Sequence, residues 1–190
     1  VGWNSLTYPF SLKKNNNMAC NLTTGRSVPC KDSVGGIQAV YFADFGTMGT
    51  LTVTAGEVTA FGGTPDFFEF DVKGNSSLEQ TITASRENGT AFYEQTLNLT
   101  LTKLDKATQE ELILLVKARP HVVIKDYNGN YLMVGASHGA DCSGGTIVTG
   151  AGMADLSGFT LTMAAQETLP AYFVDATAFE AEISASKINP

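Results

Sequence analysis

The chain has 190 residues, 43% of them apolar and 16% charged, which suits one domain of ordinary size with a real core. Nineteen acidic side chains against twelve basic ones leave a net charge of −7, so a phosphate backbone would be repelled and sequence-specific nucleic-acid binding is disfavoured. No apolar run approaches the roughly 20 residues that span a bilayer, and the first residues lack the apolar segment of a signal peptide.

Val1 to Asn17 (VGWNSLTYPFSLKKNNN) reads as foreign to the rest of the chain. It ends in a Lys and Asn run, and Met18-Ala19-Cys20 behind it looks like a natural start. Residues 1–17 are therefore expected to be an upstream or non-native, flexible extension, with 18–190 forming a single β-rich domain. A lipoprotein cleavage site before Cys20 is the sharper alternative. Lys13, Lys14 and three Asn stand where its apolar segment belongs. Cys20, Cys30 and Cys142 cannot all pair within one chain and show no Cys-x-x-Cys spacing, so free thiols are expected. A Cys20 to Cys30 bridge is the alternative.

From Gly35 onward short runs of β type alternate with turn signals. Ile37 to Phe42, Thr50 to Thr54, Glu57 to Phe61 and Phe67 to Lys73 are separated by Gly46, Gly49, Ala55-Gly56 and Gly62-Gly63-Thr64-Pro65. Leu78 to Glu87 and Ala91 to Leu104 flank Asn88-Gly89, the pair best suited to a type I′ turn, and predict an antiparallel hairpin. In its second arm Leu97, Leu99 and Leu101 alternate with Asn98, Thr100 and Thr102. One face then meets a core and the other is lined with small, uncharged polar groups. The first arm repeats this weakly, with Ile82 and Ala84 against Thr81, Thr83 and Ser85. Such a face suits an ordinary exposed sheet, a lumen or a neighbouring subunit.

Asp105 to Ala118 predicts the one clear helix. Either Asp105 caps it or Thr108 does so with Glu111, and Leu112, Leu115 and Val116 form the apolar stripe. Arg119-Pro120 ends it. Val122-Val123-Ile124 starts a strand, Tyr127-Asn128-Gly129-Asn130 turns it, and Tyr131 to Val134 returns. The glycine-rich stretch from Gly135 to Gly158 predicts a long loop or broken hairpin. Phe159 to Met163 and Ala171 to Val174 close the sheet.

Few residues invite chemistry. His138, Asp141, Cys142 and Ser143 superficially resemble a nucleophile loop, but a triad draws its members from separate elements, so Gly, Ser and Asp are read as turn formers. His138, Asp141 and Cys142 fall short of a zinc ligand set. His121 opens an apolar strand, where a structural role is expected. Asp66, Glu69 and Asp71 lie among Phe67, Phe68 and Phe70; alternation puts Phe68, Phe70 and Val72 inward and Glu69, Asp71 and Lys73 outward. No phosphate-binding glycine motif is present. Glycosylation sequons begin at Asn21, Asn75, Asn88 and Asn98 and are read as chance. No catalytic, cofactor-binding or metal residue is assigned.

Two blocks carry a resemblance: Met18 to Ile37 (MACNLTTGRSVPCKDSVGGI), and Asp126 to Tyr131 (DYNGNY) together with Gly158 to Ala171 (GFTLTMAAQETLPA). In these the chain resembles the tail tube or major tail proteins of tailed bacteriophages. The resemblance implies a mainly β fold with one flanking α-helix, an antiparallel β-sandwich or barrel of the tail-tube type. It also implies a non-enzymatic virion subunit, assembled in the host cytoplasm. Such subunits join strands into rings, typically hexameric, which stack with other tail proteins into a conduit for DNA. A head decoration, baseplate or fibre-associated protein is the alternative; one of another class is a secreted binding or hydrolytic domain using the His138 to Ser143 loop.

Overall fold

A computed structural model describes residues 25–27, 31, 33–72 and 75–186. The described residues from 33 onward group as one compact unit. Of residues 1–32 only 25–27 and 31 are described, exposed and outside any helix or strand. The expected extension 1–17, Cys20, Cys30 and the Asn21 sequon all lie outside the described residues.

Among the described residues eleven strands and two helices run in the order β1 (Ile37–Ala43), β2 (Thr52–Thr54), β3 (Glu57–Ala60), β4 (Phe68–Asp71), β5 (Ser77–Ser85), β6 (Thr90–Thr102), α1 (Lys106–Lys117), β7 (His121–Asp126), β8 (Tyr131–Val134), β9 (Asp141–Val148), β10 (Gly158–Glu167), β11 (Tyr172–Val174) and α2 (Ala176–Ser186). They make two open sheets, a seven-stranded one in the order β2-β3-β11-β8-β7-β1-β4 and a four-stranded one in the order β5-β6-β10-β9. The mainly β character agrees with the sequence. The sheets do not close into a barrel among the described residues, and the larger sheet is not purely antiparallel, because β11 inserts beside β3 in parallel.

Alternation along β1 shows how the larger sheet is buried on both sides. Ile37, Val40 and Phe42 join one core cluster, and Ala39, Tyr41 and Ala43 join a second. On β7 Val122 and Ile124 go to the first and Val123 to the second, so the strand reads as a continuous apolar run. The first cluster also takes Leu97, Leu99 and Leu101 from β6 and Phe159, Leu161 and Met163 from β10, joining the two sheets. Phe179 of α2 fills the second, with its ring centroid 4.8 Å from Phe67, 4.9 Å from Tyr131 and 5.1 Å from Tyr41. A single helix was expected; α2 is a second. Its signals are Asp175, whose carboxylate accepts the Ala178 N–H at 2.8 Å, and the apolar pair Phe179 and Ile183 one turn apart.

Asp105 caps α1: its carboxylate accepts from the Thr108 N–H and hydroxyl, both at 2.7 Å. Those bonds hold the Asp105 carboxyl below its ordinary value. Leu112 is buried and Leu115 half-buried, but Val116 is exposed and does not belong to the core stripe.

The hairpin turns are distributed differently from expectation. Asn88-Gly89 closes no two-residue turn; Ser85 pairs with Thr90 across four loop residues, and of the central pair only Gly89 has positive φ. The two-residue type I′ geometry falls at Ala55 (φ 54°) and Gly56 (φ 87°) between β2 and β3. The β5–β6 arms pair antiparallel as predicted, but the weak inward set of β5 fails at its tip. Ile82 is 66% exposed and Ala84 is exposed too, because the hairpin extends past the core there. The glycine-rich stretch contains β9, which pairs with β10, and its loop is gathered by Asp155 accepting from the Ala151 and Gly152 N–H groups.

Candidate functional site

The four-stranded sheet turns one face to the core and the other outward. Register fixes the outward rows: Thr146, Thr160 and Thr100 lie side by side, next to a row of Gly144, Thr162, Asn98 and Ser77. None of the four strands carries a Lys or Arg. The polar groups are directed to one another. Thr162 Oγ1 donates to Asn98 Oδ1 at 3.0 Å, Thr146 and Thr160 share a hydroxyl bond at 2.6 Å, and Thr100 Oγ1 donates to the Asn75 carbonyl at 3.1 Å. Such a face is polar and wettable while presenting few free donors to an anion. The sequence showed the β6 part; the β10 and β9 parts were hidden because their threonines meet β6 only through long-range pairing.

This sheet ends in β5 on one side and β9 on the other, and among the described residues no strand covers either outer edge. Both edges are long and lack the Lys or Pro that usually protects an edge from pairing.

At one end of the molecule a buried polar network ties the sheets together. Glu167 of β10, 4% exposed, accepts the Ser137 and His138 N–H groups at 2.8 Å each, and its other oxygen meets His138 Nδ1 at 3.1 Å. Gln95 Oε1 accepts the Gly135 N–H at 3.0 Å, and His121 Nδ1 donates to the Gly135 carbonyl at 2.7 Å. His121 Nε2 accepts from the Gly46 N–H at 3.3 Å, which fixes the neutral tautomer, and its ring stacks on Phe45. Burial, reinforced by Arg119 and opposed by the Gly135 bond and Glu167, lowers the His121 pKa. Gly135, at φ 67°, is required here: an added Cβ would lie 2.5 Å from the Gly139 carbonyl carbon. The network was not legible in sequence because Glu167 lies about thirty residues beyond the backbone it holds.

The residues singled out for chemistry make their side-chain hydrogen bonds to other groups and not to one another. Cys142 is a free thiol whose Sγ meets the Gly144 carbonyl at 3.6 Å, and Ser143 Oγ donates to the Thr162 carbonyl at 3.2 Å; the side-chain partner of His138 is Glu167. Asp141 is exposed at the start of β9. Among the described residues no three His, Cys, Asp or Glu side chains converge on a metal-sized space. Glu69 accepts from the Tyr41 hydroxyl at 3.0 Å, and burial together with that bond pushes the Tyr41 pKa up. Phe70 and Val72 pack in the first core cluster, while Glu69 and Asp71 are exposed, as alternation predicted; Phe68 is half-buried, and Lys73 lies outside the described residues. Asn98 is spent on Thr162, the Asn88 N–H on Ser85 Oγ.

Comparisons with known proteins found no matching family model, no matching curated protein and no matching solved structure.

Proposed function

We propose that the protein is a structural subunit that closes into rings through the two open edges of its four-stranded sheet, a tail-tube subunit of a tailed-phage virion. The observation that carries this reading is the sheet: four antiparallel strands, one face in the core, both edges uncovered and an outward threonine face without a cation. With an even number of antiparallel strands, β5 and β9 run in opposite directions. Rotation about a ring axis then lays β9 of one copy antiparallel to β5 of the next. A closed ring of copies leaves this sheet no open edge.

In that arrangement the threonine face lines the lumen. A strand set with no Lys or Arg does not gain the counterion-release energy that grips a phosphate backbone, and hydroxyls already bonded to each other offer little hold. DNA passes without being bound. The two packed sheets are read as a β-sandwich flanked by helices, the rings as hexameric and stacked, and the site of action as the virion. The resemblance in the two sequence blocks supports the same reading. The engagement of His138 with Glu167, and of Cys142 and Ser143 with backbone carbonyls, supports it over a hydrolytic one.

Negative-stain microscopy of the purified full chain tests the proposal. Rings or stacked tubes are expected, closed rings that never stack would indicate another virion component, and monomers at every concentration would refute assembly.

A further inference from the structure

Beside the open β9 edge lies a groove of about 440 Å³, floored by Phe159 and Leu161 and walled by Ile113 and Val116 of α1 and Ile147 of β9. These three wall residues are 48%, 53% and 62% exposed. A helix on a core normally turns its apolar stripe inward. Here α1 buries Leu112 and leaves a second apolar row standing over the edge of the neighbouring sheet.

The sidedness of the strands identifies what covers it. In β9, Ile147 pairs with Phe159 and Gly145 with Leu161, so both lie on the core side of the sheet, where the groove is. In β5, Leu78 pairs with Leu97 and Ile82 with Tyr93, which places them on that same side. When β9 meets β5 of another copy, the period of two keeps core-side residues next to core-side residues; a slip of one would drop Ile82 among the threonines. At the seam Gly145 contributes no side chain on the core side, so the mouth of the groove stays open toward the incoming strand.

We propose that Ile82 of a neighbouring copy seats in the groove between α1 and β9, so that each subunit completes its apolar core with a side chain from the next. This rests on the ring reading and adds an anchor to it. The β5–β6 hairpin tip, exposed on both faces in a single chain, is then an assembly element. Backbone pairing at an edge supplies affinity, and side chains seated in desolvated pockets beside it supply specificity and register.

Ile82→Asp in the full chain tests it. Because Ile82 is exposed, the variant should keep the parental circular dichroism and thermal midpoint while its sedimenting species falls to the monomer mass; Ile82→Leu should still form rings. In a chain whose three cysteines are replaced by Ser, I82C combined in turn with I113C, V116C and I147C should give inter-subunit disulfide ladders on oxidation. Rings formed by Ile82→Asp as readily as by the parent, or rings without a ladder from any pair, overturn the seat and leave the ring reading standing. A parent chain that stays monomeric overturns both.

Discussion

The two sheets share a core cluster but differ in what covers their other faces. The seven-stranded sheet is closed on its second side by Phe179 of α2 and the aromatic rings around it. The four-stranded sheet turns hydroxyls and amides outward there, among them Thr146, Thr160, Thr162 and Asn98 bonded to one another, with carboxylates of Glu79, Glu94 and Asp141 on the same side and no cation. Its edges are long where the larger sheet's outer strands, β2 and β4, are short. A sheet buried on both faces reads as continuous apolar strands and serves stability. One left open on a face and at two edges, with no Lys or Pro on those edges, is what the proposed ring would close.

Predictions that probe this contrast run from large to small. Phe179→Ala should cost about 3–5 kcal/mol in urea unfolding, because it empties the cluster that closes the seven-stranded sheet. A cost under about 1 kcal/mol would mean α2 is peripheral. The middle effect belongs to the joint between the sheets. His121 is neutral and its pKa is lowered on folding, so the unfolded chain binds more protons below the ordinary value of 6.5. Stability from this site is fully present above about pH 6.5 and declines as pH falls below it, before the depressed carboxylates of Asp105, Asp126 and Asp155 titrate below about pH 4. Urea midpoints measured from about pH 7.5 down to pH 5 should fall, and His121→Gln should flatten that slope. An unchanged slope would place the acid sensitivity elsewhere. The smallest effect is on the open face: Thr162→Val should change monomer stability by less than about 0.5 kcal/mol by the same urea measurement. A larger loss would make the threonine ladder part of the fold.

Local pattern made much of this visible. The alternation of Leu97, Leu99 and Leu101, the Asp105 cap and the Pro120 break marked β6 and α1 within a few residues of their ends. The misses share a cause. Helix α2 is short and rich in Ala and Ser, and it is held by Phe179 meeting rings from distant strands. The placement of β11 between β3 and β8, the extension of the threonine face onto β10 and the clasp of Glu167 on Ser137 and His138 all depend on pairing across tens of residues. The expected turn at Asn88-Gly89 shows the reverse: a strong local signal gave way to a register that needed a longer loop, while the tighter geometry settled at Ala55-Gly56.

In the proposed ring, β5 and β9 are open in one chain and closed against the next. Hydrogen exchange of the full chain, assembled against the Ile82→Asp monomer, addresses it directly. Amides of Ser77–Ser85 and Asp141–Val148 should slow on assembly, while those of Thr52–Thr54 and Phe68–Asp71 at the other sheet's edges keep their rates. Equal exchange of β5 and β9 in the two states would contradict the account.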